Sequence, residues 1–430
     1  MILLLTVCAI ASNPDLDYLH EVAKEITAAS RVAPGGEISN GGKNTTGYAL
    51  RVPGATQTYY PAFWIRDAAM MLGADLVPAG EVEGWVRVVA STQPGPEGLR
   101  FDHGLWIPPY SIPDHITLGG QACWFPGAYA DQGVGNYGFL PPADDAFFFI
   151  QMVHEHFRLT RKPALFLSPV KTAWGEHPLS EVSAMAFDSV AADPATGLVV
   201  CDPAPGKTRV DWGFCDSIVK TGSCLMPSLL RWQAARRLAD LFDSAGKRDM
   251  AKSCRVMASV IQRSVTSTFY KKLPGGEGML LSATGLGRKD DVWASAFAVW
   301  LGVLPRNIES SVARHLLSLY KAGGTVVEGQ VRQIPPSGEF GVSWEKAPAA
   351  GSYQNGGFWA TPAGWLAAAI RKVDRAASER LVSELVAHIR ANRAKGAPFE
   401  WINPSTHSYR NANYCSSAGL VYASLKAAGY

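Results

Sequence analysis

Apolar residues recur at intervals of three and four along most of this chain. Residues 15–30, DLDYLHEVAKEITAAS, carry the pattern, as do 224–243 and 246–268. The same spacing marks 66–75, 82–92, 144–159, 179–192, 291–302, 306–321, 359–372, 375–394 and 412–428, which makes twelve predicted helices. Strand patterns are short and isolated, at 197–201 and 324–327, too few for a sheet that organises the chain.

The connections alternate in character. Some are a few residues long, whereas 94–143 and 322–358 are long and rich in Gly, Pro, Trp and Asp. Loops of that length in a compact domain usually carry function. Twelve helices taken as six antiparallel pairs close into an all-α (α/α)6 barrel, with short turns at one face and long loops building a site at the other. An open solenoid is the alternative, but no fixed-period repeat supports it. No low-complexity linker divides the chain, so a single domain over 12–430 is expected, although about 150 residues per domain would allow two or three units.

Composition narrows the function. Charged residues make up 18% against about 25% in an average globular chain, and 47% are hydrophobic, so a large core forms and disorder is excluded. Net charge is +3 with Lys and Arg scattered, which offers nucleic acid no patch. The 13 Trp, 14 Tyr and 17 Phe sit among many Gly and Pro in loop-like stretches, where the rings cannot all be core. A cleft lined by aromatics is expected. No apolar run reaches about 18 residues, so no membrane-spanning helix is expected.

Residues 1–11, MILLLTVCAIA, end in an A-x-A triplet and read as a short secretory signal without a basic start, which implies a secreted or periplasmic protein. Leu5-Thr6-Val7-Cys8 also reads as a degenerate lipoprotein box. Six cysteines follow Cys8, an even number that permits bridges in an oxidising compartment; without a C-x-x-C spacing they suggest no zinc site, and most read as buried free thiols. A monomer or weak homo-oligomer is expected.

Three segments carry candidate chemistry. In Tyr59-Tyr60-Pro61-Ala62-Phe63-Trp64-Ile65-Arg66-Asp67, an Arg–Asp pair opens a helix and offers a donor fork beside an acceptor, with Trp64 as a stacking face; this suits the vicinal hydroxyls of a pyranose. A helix cap with a surface ion pair is the plainer alternative. In Asp211-Trp212-Gly213-Phe214-Cys215-Asp216-Ser217, a carboxyl beside an apolar wall suits a general acid. In Pro398-Phe399-Glu400-Trp401-Ile402-Asn403-Pro404, a lone Glu between aromatics suits a general base if water reaches it. Two further loops fit the same cleft. One is Tyr353-Gln354-Asn355-Gly356-Gly357-Phe358-Trp359. The other is bracketed by Asp114-His115 and Asp144-Asp145, a paired Asp that reads as a cap, an extra hydroxyl ligand or a cation site. The histidines form no triad or H-E-x-x-H.

FWIRDAAMM resembles the W-x-R-D segment of glucoamylases and of the wider inverting (α/α)6 glycosidases, which include trehalases and processing α-glucosidases. The loop at 211–217 is similar to the loop that carries the general acid in those families, the segment at 398–404 to their catalytic-base segment, and 353–359 to their N-G-x-x-W loop. The resemblance implies a glycoside hydrolase, exo-acting and inverting, that takes a carbohydrate and needs no cofactor and no metal. Asp216 becomes the general acid, with Asp211 as the alternative because the family spacing is not reproduced, and Glu400 the base, where E-W-I-N stands for the more usual E-Q-Y-D. Trp64, Arg66, Asp67, Gln354, Asn355 and Trp359 are then expected in one −1 subsite, with Asp114, His115, Asp145, Trp344 and Trp401 as further substrate contacts. Glu345 is the reserve base or acid. The competing readings are a sugar epimerase or polysaccharide lyase on the same barrel, and a carbohydrate-binding protein without catalysis.

Overall fold

All twelve predicted helices form, with ends shifted by a few residues, and a one-turn helix is added. In order they are α1 (Pro14–Ala29), α2 (Ile65–Met71), α3 (Ala79–Ser91), α4 (Asp145–Thr160), the one-turn α5 (Ala164–Leu167), α6 (Leu179–Asp188), α7 (Leu225–Ser244), α8 (Arg248–Phe269), α9 (Val292–Leu301), α10 (Arg306–Ala322), α11 (Ala363–Arg371), α12 (Arg375–Asn392) and α13 (Cys415–Ala427). The structure, a computed structural model, describes residues 13–40, 42–55, 59–101, 106–124, 140–202, 209–336 and 349–430. Short polar side chains start several helices. Asn13 accepts from the amides of Asp15 and Leu16 with Pro14 at the first helical position, and Asp291 and Asp374 accept from the amides of Ala294 and Ala377.

Two kinds of helix build the barrel. α2, α9 and α11 are buried over nearly their full length, and with α4, α7 and α13 they form an inner ring in which each packs on the next and α13 returns to α2. The other long helices form the outer ring and bury one stripe only; α8 buries Ala251, Ala258, Ile261, Val265 and Phe269, the three-and-four spacing of an amphipathic helix. Inner helices approach closely where side chains are absent. A Cβ at Gly419 of α13 would lie 2.8 Å from Met71, and one at Gly364 of α11 would lie 2.7 Å from Ser424. One hydrophobic cluster runs through the ring from Leu19 to Leu425. Among the described residues no helix is long and apolar enough to cross a membrane. Residues 1–11, with Cys8, lie outside the described residues.

Sheet is what the sequence pattern understates. β1 (Ala62–Trp64) pairs with β2 (His115–Thr117), and β2 pairs with β3 (Ala122–Cys123). β4 (Val200–Cys201) pairs with β5 (Gly222–Ser223). A five-stranded antiparallel meander follows in the order β6 (Val326–Val327), β7 (Gln330–Arg332), β8 (Phe358–Trp359), β9 (Phe399–Asn403) and β10 (Ser408–Ala412). Segment 322–358 is therefore not a simple loop, and Glu400 stands in a strand. The helix expected from residue 359 starts at Ala363, because Trp359 is paired with both Val331 and Trp401 in the sheet. Strands of two to five residues are too short to display alternation, and their partners lie far away in sequence.

The helix starts converge. Arg66 and Asp67 stand in the first turn of α2, Asp144 and Asp145 at the start of α4, and Ser416 in the first turn of α13. Helix N-termini favour carboxylates, so the ring gathers acidic groups at this end.

Candidate active site

Four carboxylates meet in a cavity with about 580 Å³ of atom-free space, lined also by Tyr60, Trp64, Tyr353, Tyr414, Gly213, Phe214 and Arg66. The carboxylates are Asp67, Asp114, Asp216 and Glu400.

Trp64 ends β1 and leads directly into α2, so its ring and the Arg66–Asp67 pair are delivered by one strand-to-helix junction. His115 stands opposite Trp64 in the β1–β2 register and stacks on the indole with centroids 4.0 Å apart. Burial works against the imidazolium, but hydrogen bonds to Asp114 and Cys123 outweigh it and push His115 up to about 9. A cation thus backs the indole.

Arg66 is enclosed by acids. Its Nε donates to Asp144 Oδ2 at 2.8 Å and its Nη2 to Asp114 Oδ1 at 3.0 Å and Asp145 Oδ1 at 3.3 Å, all four side chains being buried. Burial would lower Arg66, but Asp144, Asp114 and Asp145 raise it well above its ordinary value. Burial and the Asp144 charge raise Asp145 well above the carboxylate range. The expected free donor fork for sugar hydroxyls is therefore largely spent inside the protein, because three buried carboxylates need a cation. Gly213 completes the arrangement: its amide donates to Asp144 Oδ2 at 3.0 Å, and a Cβ there would overlap the Arg66 guanidinium. Gly213→Ala is expected to displace the guanidinium and lower kcat/KM at least about tenfold, roughly 1.4 kcal/mol, in steady-state assays. Unchanged kinetics would show that the close approach has no functional weight.

Asp216 follows the 3₁₀ turn Gly213–Cys215. Burial pushes its carboxyl up to about 7, with Asp114 adding to the rise while Arg66, Gln354 and Tyr353 oppose it. Ser217 anchors the loop through its amide and hydroxyl, both donating to Gln354 Oε1. Asp211 does not enter the cavity. Both its oxygens accept from Lys220 Nζ at 3.1 Å in a fully buried ion pair, which disfavours it as the acid.

Glu400, mid-strand in β9, accepts from the Tyr60 hydroxyl at 3.1 Å on Oε1 and from Asn411 Nδ2 on Oε2. Burial raises it to about 8; Asn411 and Tyr60 favour the charged form, and the Asp67 and Asp216 charges oppose it. Asp67 accepts from Ser416 Oγ at 2.5 Å. Tyr60, Tyr353 and Asn411 have φ of 48°, 48° and 52°. Left-handed backbone costs a non-glycine residue of order 1 kcal/mol, and such strain gathers at functional sites.

Of the residues picked from sequence, Trp64, Arg66, Asp67, Asp114, Asp216 and Glu400 come together in one cavity. The others stand elsewhere. His115 lies beneath Trp64, Asp145 is bonded to Arg66, and Gln354 braces Ser217. Asn355 lies in a tight turn, its amide donating to Ser352 O. Trp359 is fully buried against Phe214 and Trp293 and donates to Tyr353 O, so it is core and not a wall of the cavity. Trp401 packs on Tyr353. Trp344 and Glu345 lie outside the described residues. Sequence reasoning gave no role to Tyr60, Gly213, Phe214 or Tyr353, although all stand inside the motifs it quoted. It missed Asn411, Tyr414 and Ser416, which reach the site only through the β9–β10 pairing and the start of α13. Among the described residues no group of three His, Cys, Asp or Glu is arranged to hold a metal.

No family model and no curated protein sequence matches the chain. Solved structures do. The glucoamylase of Saccharomycopsis fibuligera superposes with a TM-score of 0.58 at 13% identity over 96% of this chain and 94% of that one. The GH63 mannosylglycerate hydrolase of Thermus thermophilus, in complex with glucose, gives 0.57 at 14% identity over 94% and 99%. The glucoamylase of Hormoconis resinae gives 0.54 at 13% over 97% and 74%. With its helical ring closed and its length covered almost end to end by these enzymes, the chain has the six-hairpin (α/α)6 fold of the glucoamylase-like glycosidases.

Proposed function

We propose that this chain is an exo-acting, inverting glycoside hydrolase. The observation that carries the reading is the pairing of Asp216 and Glu400 in one cavity, both held by burial near neutral pKa, beside a stacking indole and a set of hydroxyl-binding carboxylates. In this reading Asp216 protonates the leaving oxygen and Glu400, oriented by Tyr60 and Asn411, takes the proton from the attacking water. Asp67 and Asp114 accept from sugar hydroxyls, and Trp64 stacks on the ring. Arg66 positions Asp114 and lowers the cost of its charge. The known names of the similar folds, glucoamylase and mannosylglycerate hydrolase, agree with the chemistry.

An epimerase or lyase would abstract a carbon-bound proton, usually with His or Tyr. No described histidine lines the cavity, and the lining Tyr60, Tyr353 and Tyr414 are all raised well above 10 by burial and neighbouring carboxylates, which makes them poor bases at neutral pH. The test is a hydrolysis screen over α- and β-glycosides with product anomers followed by NMR. Inverted product is expected. Retained product, an unsaturated product, or no turnover of any glycoside would each overturn the proposal.

The pH profile follows from the carboxyl pair. Values of about 7 and 8 make the pair singly protonated between them, with the proton mainly on Glu400, so turnover runs through the minor form of the same charge that carries it on Asp216. A bell-shaped kcat/KM is expected, falling below about 7 as the second proton binds and above about 8 as the last one leaves. An optimum near pH 4 to 5 would contradict this assignment.

A further inference from the structure

The segment that carries Asp216 is closed at its base by two cysteines outside the cavity. Cys201 ends β4, and Cys224 follows β5 and precedes α7. Cys201 stands opposite Gly222 in the antiparallel register, and the Cys224 amide donates to Val199 O at 2.9 Å, so the two side chains leave the same face one diagonal step apart. They pack with Ala283 in a small fully buried cluster separate from the main core. Arg209 is buried next to them. Its favourable charge interactions are with these two thiols. Cys224 is raised well above its ordinary value by its hydrogen bond with Cys201 and by burial. Cys224 Sγ also donates to Gly222 O at 3.5 Å, as Cys215 Sγ donates to Gln333 Oε1 and Cys415 Sγ to Val52 O.

We propose that Cys201 and Cys224 form a structural disulfide when the chain folds in an oxidising environment, tying together the ends of the segment 201–224 that presents Gly213, Phe214 and Asp216 to the cavity. One of the two thiols, on losing its proton, attacks one sulfur of a small disulfide such as oxidised glutathione, forms a mixed disulfide and releases one glutathione thiolate. The other thiol then loses its proton and attacks the protein sulfur of that mixed disulfide, the protein Sγ–Sγ bond forms, and the second glutathione leaves. Two electrons pass to the oxidant, and the two protons end on the released thiols. The bridge acts by restricting the unfolded and locally opened chain. It is independent of the proposed activity.

The test refolds the full chain from denaturant in a glutathione redox buffer and, in parallel, with dithiothreitol. Non-reducing peptide mapping is expected to find the Cys201 and Cys224 peptides joined and lighter by two hydrogens. Tm is expected several degrees higher than in dithiothreitol, with Cys201→Ser and Cys224→Ser no longer responding to the reductant. Alkylation of both cysteines by iodoacetamide after oxidative refolding and denaturation would overturn the proposal, as would either one joined to a different cysteine. Mapping of the unmodified chain decides the matter even if a serine variant fails to fold.

Discussion

Glu400→Gln is expected to lower kcat on an unactivated glycoside by about 10²- to 10⁴-fold, the usual contribution of one positioned proton-transfer group, or roughly 3–5 kcal/mol. Asp216→Asn is expected to do the same, with a difference in kind. Fluoride leaves without being protonated, so Asp216→Asn should retain much of its activity on the matching glycosyl fluoride, whereas Glu400→Gln, which lacks the base for water, should lose both substrates. Equal losses on the two substrates would sink the assignment of acid and base. Wild-type turnover in Glu400→Gln would move the base elsewhere, with Glu345 the next carboxylate to replace. Stability supplies the control. Both groups have folded values raised above the unfolded carboxylate range, so the stability they contribute is complete below about pH 4 and is lost as pH rises through about 7 and 8. Neither amide ionises. Each variant should therefore match or exceed the wild-type Tm at pH 8 to 9, and a large drop would show that the kinetic loss came from misfolding.

Arg66→Ala carries the largest expected effect on the fold. It leaves Asp114, Asp144 and Asp145 buried without their common cation, and breaking a buried ion pair costs about 3–5 kcal/mol. Urea unfolding should show a loss of that order, and kcat/KM should fall by at least about tenfold, because Asp114 faces the cavity from this network. Arg66→Lys is expected to rescue only part of either quantity. One ammonium cannot reproduce the Nε bond to Asp144 together with the Nη2 bonds to Asp114 and Asp145. An Arg66→Ala variant within about 1 kcal/mol of wild type in stability would refute the structural role of the cluster.

Asp144 illustrates where sequence reasoning stops. As half of a paired Asp before a helix it reads as a cap, a hydroxyl ligand or a cation site, and all three readings are local. In the fold it accepts from Arg66 and from Gly213, 78 and 69 positions away along the chain. Gln354, Asn355 and Trp359 show the opposite failure. Their motif is adjacent to the site, but the β8 pairing turns Trp359 into the core and leaves Tyr353 to line the cavity.

The helical periodicity by itself determined the twelve helices and which of them bury one stripe or a whole surface; their closure into a ring was decided by tertiary packing. The periodicity is local: each helix displays its buried stripe or fully apolar surface within its own residues. The order of Arg66–Asp67, Asp216 and Glu400 along the chain was legible for the same reason, since each lies in a short aromatic-rich segment, the first in the opening turn of α2, the second after a 3₁₀ turn and the third in β9. Only the tertiary structure decided which groups face the cavity and with what charge. Glu400 is raised to about 8 by burial, while Tyr60 and Asn411, 340 and 11 positions away, restrain it. Arg66 turns from a sugar clamp into the counter-ion of three aspartates. Burial and long-range pairing arise when the helix starts converge at one end of the ring, and no window of sequence contains both partners of such a contact.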